Sequence, residues 1–73
     1  MELQTIDVYI LFTLKEKNSL TLREVSNFLY CDQSIAFKSL KRLEDHNLIL
    51  IDNGRPKKYY INKTKFQKWN KTK

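Results

Sequence analysis

Among its 73 residues the chain holds one glycine, one proline, one cysteine and one histidine. One glycine can hardly build a phosphate-cradling loop, and His46 beside Cys31 leaves a metal site of the His/Cys type short of ligands. A lone cysteine makes no internal disulfide, which agrees with a reducing compartment. Cys31 stands just before a helix N-terminus, a setting that suits a redox-active thiol, although a packed turn residue is the commoner fate of a single cysteine. Glu44 and Asp45 are adjacent on a predicted helix and cannot face each other as an acid/base pair. No nucleophile constellation is present, so no enzyme, cofactor or metal is expected. No apolar run approaches the ~18 residues of a bilayer span, and no basic segment followed by an apolar core opens the chain, which makes the cytoplasm the default.

Acidic residues are also unevenly missing. Residues 1–36 carry three basic and five acidic side chains, residues 37–73 carry eleven basic and three acidic ones, and none from Arg55 onward is acidic. The net charge of +6 is therefore gathered in the second half. A one-sided basic surface is the footprint of a nucleic-acid binder, because neutralising phosphates releases condensed counterions; the bland alternative is a lysine-rich surface that keeps a small protein soluble. With 41% hydrophobic residues and almost no glycine or proline, the chain reads as one ordered, largely helical domain. At this length a single core is only marginally sufficient, so dimerisation is an expected source of stability.

Thr21 to His46 organises the rest. Thr21 and Glu24 form a T-x-x-E capping box, so a helix should start at Leu22, with Leu22, Val25 and Leu29 on its apolar face and Phe28 beside it. Tyr30 and Cys31 break the pattern. Asp32 then suits the N-cap of a second helix whose apolar positions are Ala36, Leu40 and Leu43. Two short helices about a tight turn make a helix-turn-helix over 21–46, with 33–46 as the recognition helix.

Before it, a helix is expected from near Leu3 to Lys17, with Ile6, Tyr9, Ile10, Thr13 and Leu14 on one face. Leu3, Val8, Leu11 and Phe12 make its other side apolar too, more than a monomer's surface helix should be. The C-terminal segment or a second copy must cover that side. Leu20 and Thr21 are expected to form a very short extended piece. After the motif, Asn47 occupies a position that wants a left-handed residue, and Leu48 to Ile51 reads as a strand. Asn53-Gly54 is a short-hairpin signal, the return strand is Lys57 to Ile61 with Tyr59 and Ile61 inward, and Pro56 belongs to the loop. Asn62 or Thr64 can cap a last helix at about 63–71, in which Phe66 and Trp69 share a face.

In that order the elements resemble a winged helix-turn-helix: mainly α, with a three-helix core, a small β-hairpin as a two-stranded wing over 48–61, and a short C-terminal helix. DQSIAFKSLKRLEDHNLI, from Asp32 to Ile49, resembles the recognition helix and following strand of MarR- and ArsR-like bacterial and archaeal regulators. GRPKKYYIN resembles their basic, tyrosine-containing wing. Small regulators of this type are also familiar from archaeal viruses and mobile elements. Two positions depart from the pattern: Asn47 replaces the usual glycine, and Phe37 replaces a small polar residue on the DNA side.

The resemblance and the helical wheel together place Gln33, Ser34, Phe37, Lys38 and Lys41 on the outward face of the recognition helix. Glutamine pairs with adenine edges, lysine with guanine edges or phosphates, and phenylalanine with thymine methyls; Phe37 alternatively packs away from the groove. Arg42, at the side, is read as a phosphate contact or a partner of Asp45. Arg55 is the expected minor-groove probe at the wing tip, with Lys57, Lys58 and Tyr60 beside it. Thr21 and Arg23 are expected phosphate contacts. Leu3, Val8, Leu11, Phe12, Phe66 and Trp69 are the expected dimer interface. The function implied is a sequence-specific regulator, a repressor by type, bound to double-stranded DNA as a homodimer in the nucleoid. The rival is a winged helix for protein contact, or one that holds single-stranded nucleic acid in a replication or plasmid-maintenance complex, with bases stacked on Tyr60 and Trp69.

Overall fold

The first helix starts one residue after Gln4, because Gln4 rather than an earlier residue takes the extended N-cap position and donates its N–H to the Asp7 carboxylate at 2.9 Å. A computed structural model describes residues 3–71 of the chain. Helix α1 spans Thr5–Lys17 and ends at Asn18, with Asp7 in its first turn and Lys15 and Lys17 in its last, as the helix dipole favours. Strand β1, Ser19–Thr21, follows, and then α2, Leu22–Leu29. The capping box forms as expected: Thr21 Oγ1 accepts the Glu24 N–H at 3.2 Å and the Glu24 carboxylate accepts the Thr21 N–H at 2.8 Å.

Helix α3, Gln33–Asp45, begins at the expected N-cap, but the Asp32 side chain makes no capping hydrogen bond. Its backbone carbonyl accepts from the Ile35 and Ala36 N–H groups instead. Left-handed residues stop the two motif helices, Tyr30 after α2 and Asn47 two residues after α3. Asn47 is thus in the conformation its side chain tolerates best after glycine.

The wing is larger than a hairpin. Strands β2, Ile49–Asp52, and β3, Lys58–Ile61, pair antiparallel, and β1 adds to the other edge of β3, giving the order β1-β3-β2. The short extended piece at Leu20 and Thr21 is therefore a third strand, with Leu20 opposite Tyr59. Asn53-Gly54 does not close a two-residue turn. The last pair is Asp52 with Lys58, the loop runs over 53–57, and Gly54 does not take positive φ. Pro56 has no N–H for a ladder, so pairing cannot close next to Asn53-Gly54. The Asp52 side chain accepts the Gly54 N–H at 3.1 Å and shapes the loop start.

Helix α4, Lys63–Lys71, is tied to the end of α3 by Asn62, whose N–H donates to Leu48 O at 2.9 Å and whose side-chain amide donates to Asn47 O at 3.0 Å. The core combines Ile10, Leu11 and Leu14 of α1 with Val25, Ala36, Leu40, Leu43, Ile49, Tyr59, Ile61 and Phe66. Tyr59 and Ile61 face inward as their alternation required.

The inward face of α1 differs from the one its apolar spacing suggests. Asp7, Ile10, Leu11 and Leu14 are buried, whereas Tyr9 is 54% exposed. Counting apolar residues rotates the helix away from Asp7, because a charged residue is not scored as core. Of the two possible covers for the rest of α1, the chain's own α4 supplies one: the Phe66 ring meets Phe12 edge-on at 5.5 Å, and Trp69 lies 6.4 Å from Phe12. Leu11 and Phe66 are consequently removed from the expected dimer interface, since both belong to the core of their own chain.

Candidate nucleic-acid interface

Helix α3 has two opposite characters. Ala36, Ser39, Leu40 and Leu43 are buried, while Gln33, Ser34, Phe37, Lys38 and Lys41 are exposed together on the other side. This division follows from the 3.6-residue repeat: the apolar residues hold one face to the core and leave the polar and basic ones facing outward. Lys41 lies 3.7 Å from Glu44 in an exposed pair one turn on. Such a pair stabilises by only ~0.2–0.5 kcal/mol, too little to keep Lys41 from a phosphate.

Between α3 and the wing lies a cleft of about 430 Å³ lined by Phe37, Lys41, Leu50, Lys57 and Tyr59, among others. Phe37 is 45% exposed on this cleft and does not pack into the core. Arg55 and Lys57 are exposed in the loop, and the Lys57 ammonium sits 5.7 Å from the centre of the Tyr59 ring. Burial, assisted by the negative charge of Glu44, raises the Tyr59 hydroxyl above its ordinary pKa and keeps it neutral. Lys58 is half-buried between Asp52 and Thr21 in the sheet register. Tyr60 lies on the opposite face of β3 from Tyr59, in register with Leu50 and Ser19.

Arg42 is the main correction among the expected contacts. Its carboxylate partner is Asp7 and not Asp45: its Nε and Nη2 each lie 2.9 Å from an Asp7 carboxylate oxygen. Ser39 donates a short hydrogen bond to the same carboxylate. Asp7 is wholly buried; burial alone would raise its pKa, but hydrogen bonds from Arg42, Ser39 and the Gln4 N–H, with the charge of Arg42, bring it below the ordinary value. The Arg42 pKa is raised in return, chiefly by its hydrogen bond to Asp7. This cluster fixes α3 against α1 and thereby sets which α3 residues face outward. Sequence reading missed it. Its one signal was an acid in register with buried positions, Asp7 standing three, four and seven residues before Ile10, Leu11 and Leu14.

At the start of α2, Arg23 is exposed, while Thr21 is engaged in its capping box and the Glu24 carboxylate already occupies the helix N-terminus. A phosphate there would meet a negative charge first. Among the described residues no group of three or more potential ligands could hold a metal ion, and no helix is long and apolar enough to cross a membrane.

With an outward basic helix beside a basic loop, the fold is that of a winged helix. The MarR family model matches residues 7–50, from the first turn of α1 into β2. The chain belongs to the MarR family. MarR-family proteins are DNA-binding transcription regulators and not enzymes, and the matched region contains the whole helix-turn-helix. No curated protein and no solved structure matches the chain significantly. Strand β3 and α4 lie outside the MarR match, so the wing's return strand and the C-terminal cover are read from the structure alone.

Proposed function

We propose that this MarR-family chain regulates transcription, as a repressor, by sequence-specific binding to double-stranded DNA, with α3 in the major groove and the loop of the wing on the minor groove and backbone. The observation that carries this reading is the joint exposure of Gln33, Ser34, Phe37, Lys38 and Lys41 on one face of α3, together with a wing loop that exposes Arg55 and Lys57, where Lys57 lines the same cleft as Phe37 and Lys41. Gln33 and the lysines offer donors for base edges and phosphates, and Phe37 offers an apolar surface for thymine methyls. Lys58 and Tyr60 belong to the flank of this surface, and Arg23 reaches the backbone from the first turn of the motif's first helix.

A homodimer fits the apolar surface that remains on and around α1: Leu3, just before the helix, and Val8 are half-buried, Phe12 is partly exposed, and Trp69 of α4 is half-buried beside Phe12. Two such copies would present two recognition helices to two half-sites. The deciding experiment is duplex binding as a function of salt. Log K is expected to fall with log salt by about 0.9 per neutralised phosphate, and an affinity that stays flat would overturn the reading.

The single-stranded alternative has weaker support. Trp69 lies against Phe66 with the rings tilted and 5.9 Å apart, and leaves less ring surface for a base than its sequence position suggested. Tyr60 keeps an exposed ring. Competition between duplex and single-stranded oligonucleotides separates the two readings.

A further inference from the structure

A second basic cavity lies apart from the cleft between α3 and the wing. It measures about 390 Å³ and sits where the C-terminal end of α1 meets α4. Lys15, Lys63 and Lys71 line it, together with the side-chain amides of Asn18, Gln67 and Asn70, over an apolar floor that includes Phe66. The Lys15 ammonium is 5.5 Å from the centre of the Phe66 ring, which holds that charge at the cavity. No acidic residue lines it.

This cavity shares no lining residue with the cleft between α3 and the wing. On α1, Asp7 faces α3, while Lys15, at the cavity, lies two turns further along and about 80° round the helix. Helix α4 is also tied by Asn62 to the C-terminal end of α3, away from the N-terminal residues Gln33 and Ser34.

We infer that this cavity is a second contact surface for nucleic-acid phosphate, by which a protein held on one duplex through α3 captures a neighbouring duplex. The inference rests on the reading of α3 and the wing as a DNA-binding face. Three ammonium groups and three amides supply hydrogen-bond donors, and phosphodiester oxygens are anionic acceptors. A protein already on DNA meets other phosphates at high effective concentration, which suits a weak second surface.

The test uses the full chain, a bead-bound duplex and a labelled free duplex at moderate salt, alongside the affinity for one short duplex in solution. The wild type captures the labelled duplex. Replacing two cavity lysines, Lys63→Gln with Lys71→Gln, lowers capture roughly tenfold, as expected for the loss of two phosphate contacts, and leaves single-duplex affinity nearly unchanged. The control Lys65→Gln with Lys68→Gln removes the same charge from the same helix outside the cavity and leaves capture intact.

Equal losses in both double variants would reduce the effect to net charge and overturn the inference. Full capture by the cavity variant would overturn it too, because bridging through the two α3 faces of a dimer survives that change. A wild type that binds one duplex, captures no second and instead holds a polyglutamate bead through the same lysines assigns the cavity to an acidic protein. A wild type that binds no duplex removes the DNA reading itself, and the inference with it.

Discussion

Arg42 reaches across thirty-five positions of sequence to hold Asp7 with two hydrogen bonds of 2.9 Å, one to each carboxylate oxygen. The pair joins α1 to α3, and Ser39 closes the same cluster. An apolar contact would hold the two helices together at many rotations. A planar guanidinium on a carboxylate admits few, so the pair defines how α3 is turned.

Removing one partner should therefore be costly. Arg42→Ala leaves the Asp7 carboxylate buried without its cation and is expected to lower stability by about 3–5 kcal/mol in urea unfolding. Replacing the cluster as a whole, with Asp7→Leu, Ser39→Ala and Arg42→Leu, is expected to restore most of that loss. If Arg42→Ala unfolds at the wild-type urea concentration, the pair is not what holds α3.

The same carboxylate fixes an acid dependence. Its folded-state pKa lies below the unfolded one, so its stabilising contribution is complete above the unfolded value of about 3.9 and is lost as pH falls through the folded value. Thermal unfolding should show a falling Tm below about pH 4 that is shallower in Asp7→Asn. Equal slopes in the two proteins would assign the acid loss to other carboxylates.

On α3, Lys38→Ala combined with Lys41→Ala is expected to weaken duplex binding strongly and to reduce the salt slope by about 2, one unit for each lost phosphate contact. Phe37→Ala should alter the preferred bases and leave that slope unchanged, because an apolar side chain releases no counterion. Binding isotherms at several salt concentrations check both. Retained affinity in the double lysine variant would show that this face is not the one that meets DNA.

At the wing, Arg55→Ala is expected to lower affinity and to relax any preference for AT-rich flanks, since narrow minor grooves attract arginine. Selection of bound fragments by wild type and variant measures this directly. An identical flank preference would place the loop outside the minor groove.

The residues first expected at the dimer interface can be told apart by what each substitution disturbs. Leu11→Ala should destabilise the fold by about 2–5 kcal/mol, as a fully buried leucine does, whereas Val8→Lys should dissociate a dimer with little effect on folding. Sedimentation and urea unfolding, run on both variants, distinguish the two outcomes.

Legibility in the sequence followed the kind of interaction. The capping box at Thr21 and Glu24, the left-handed Asn47 and the inward Tyr59 and Ile61 are local features, so short motifs and a period of two revealed them. The outward residues of α3 were legible for the same reason, since one period fixes both faces. What escaped was non-local. The rotation of α1 and the true partner of Arg42 depend on a charge buried between distant helices, and burial of a charge runs against every hydrophobic pattern. The loop over 53–57 escaped because Asn53-Gly54 favours a tight turn that Pro56 two residues later does not allow.

Strand β3 is central in the sheet, and one of its neighbours, β1, comes from near the start of the chain. A two-stranded ribbon alone is marginal in water, so the wing gains its footing only when Ser19 meets Tyr60. During synthesis the helix-turn-helix leaves the ribosome well before that meeting is possible. The surface proposed to meet DNA is thus completed late and at once, and a chain cut short before Ile61 would carry α3 without a wing.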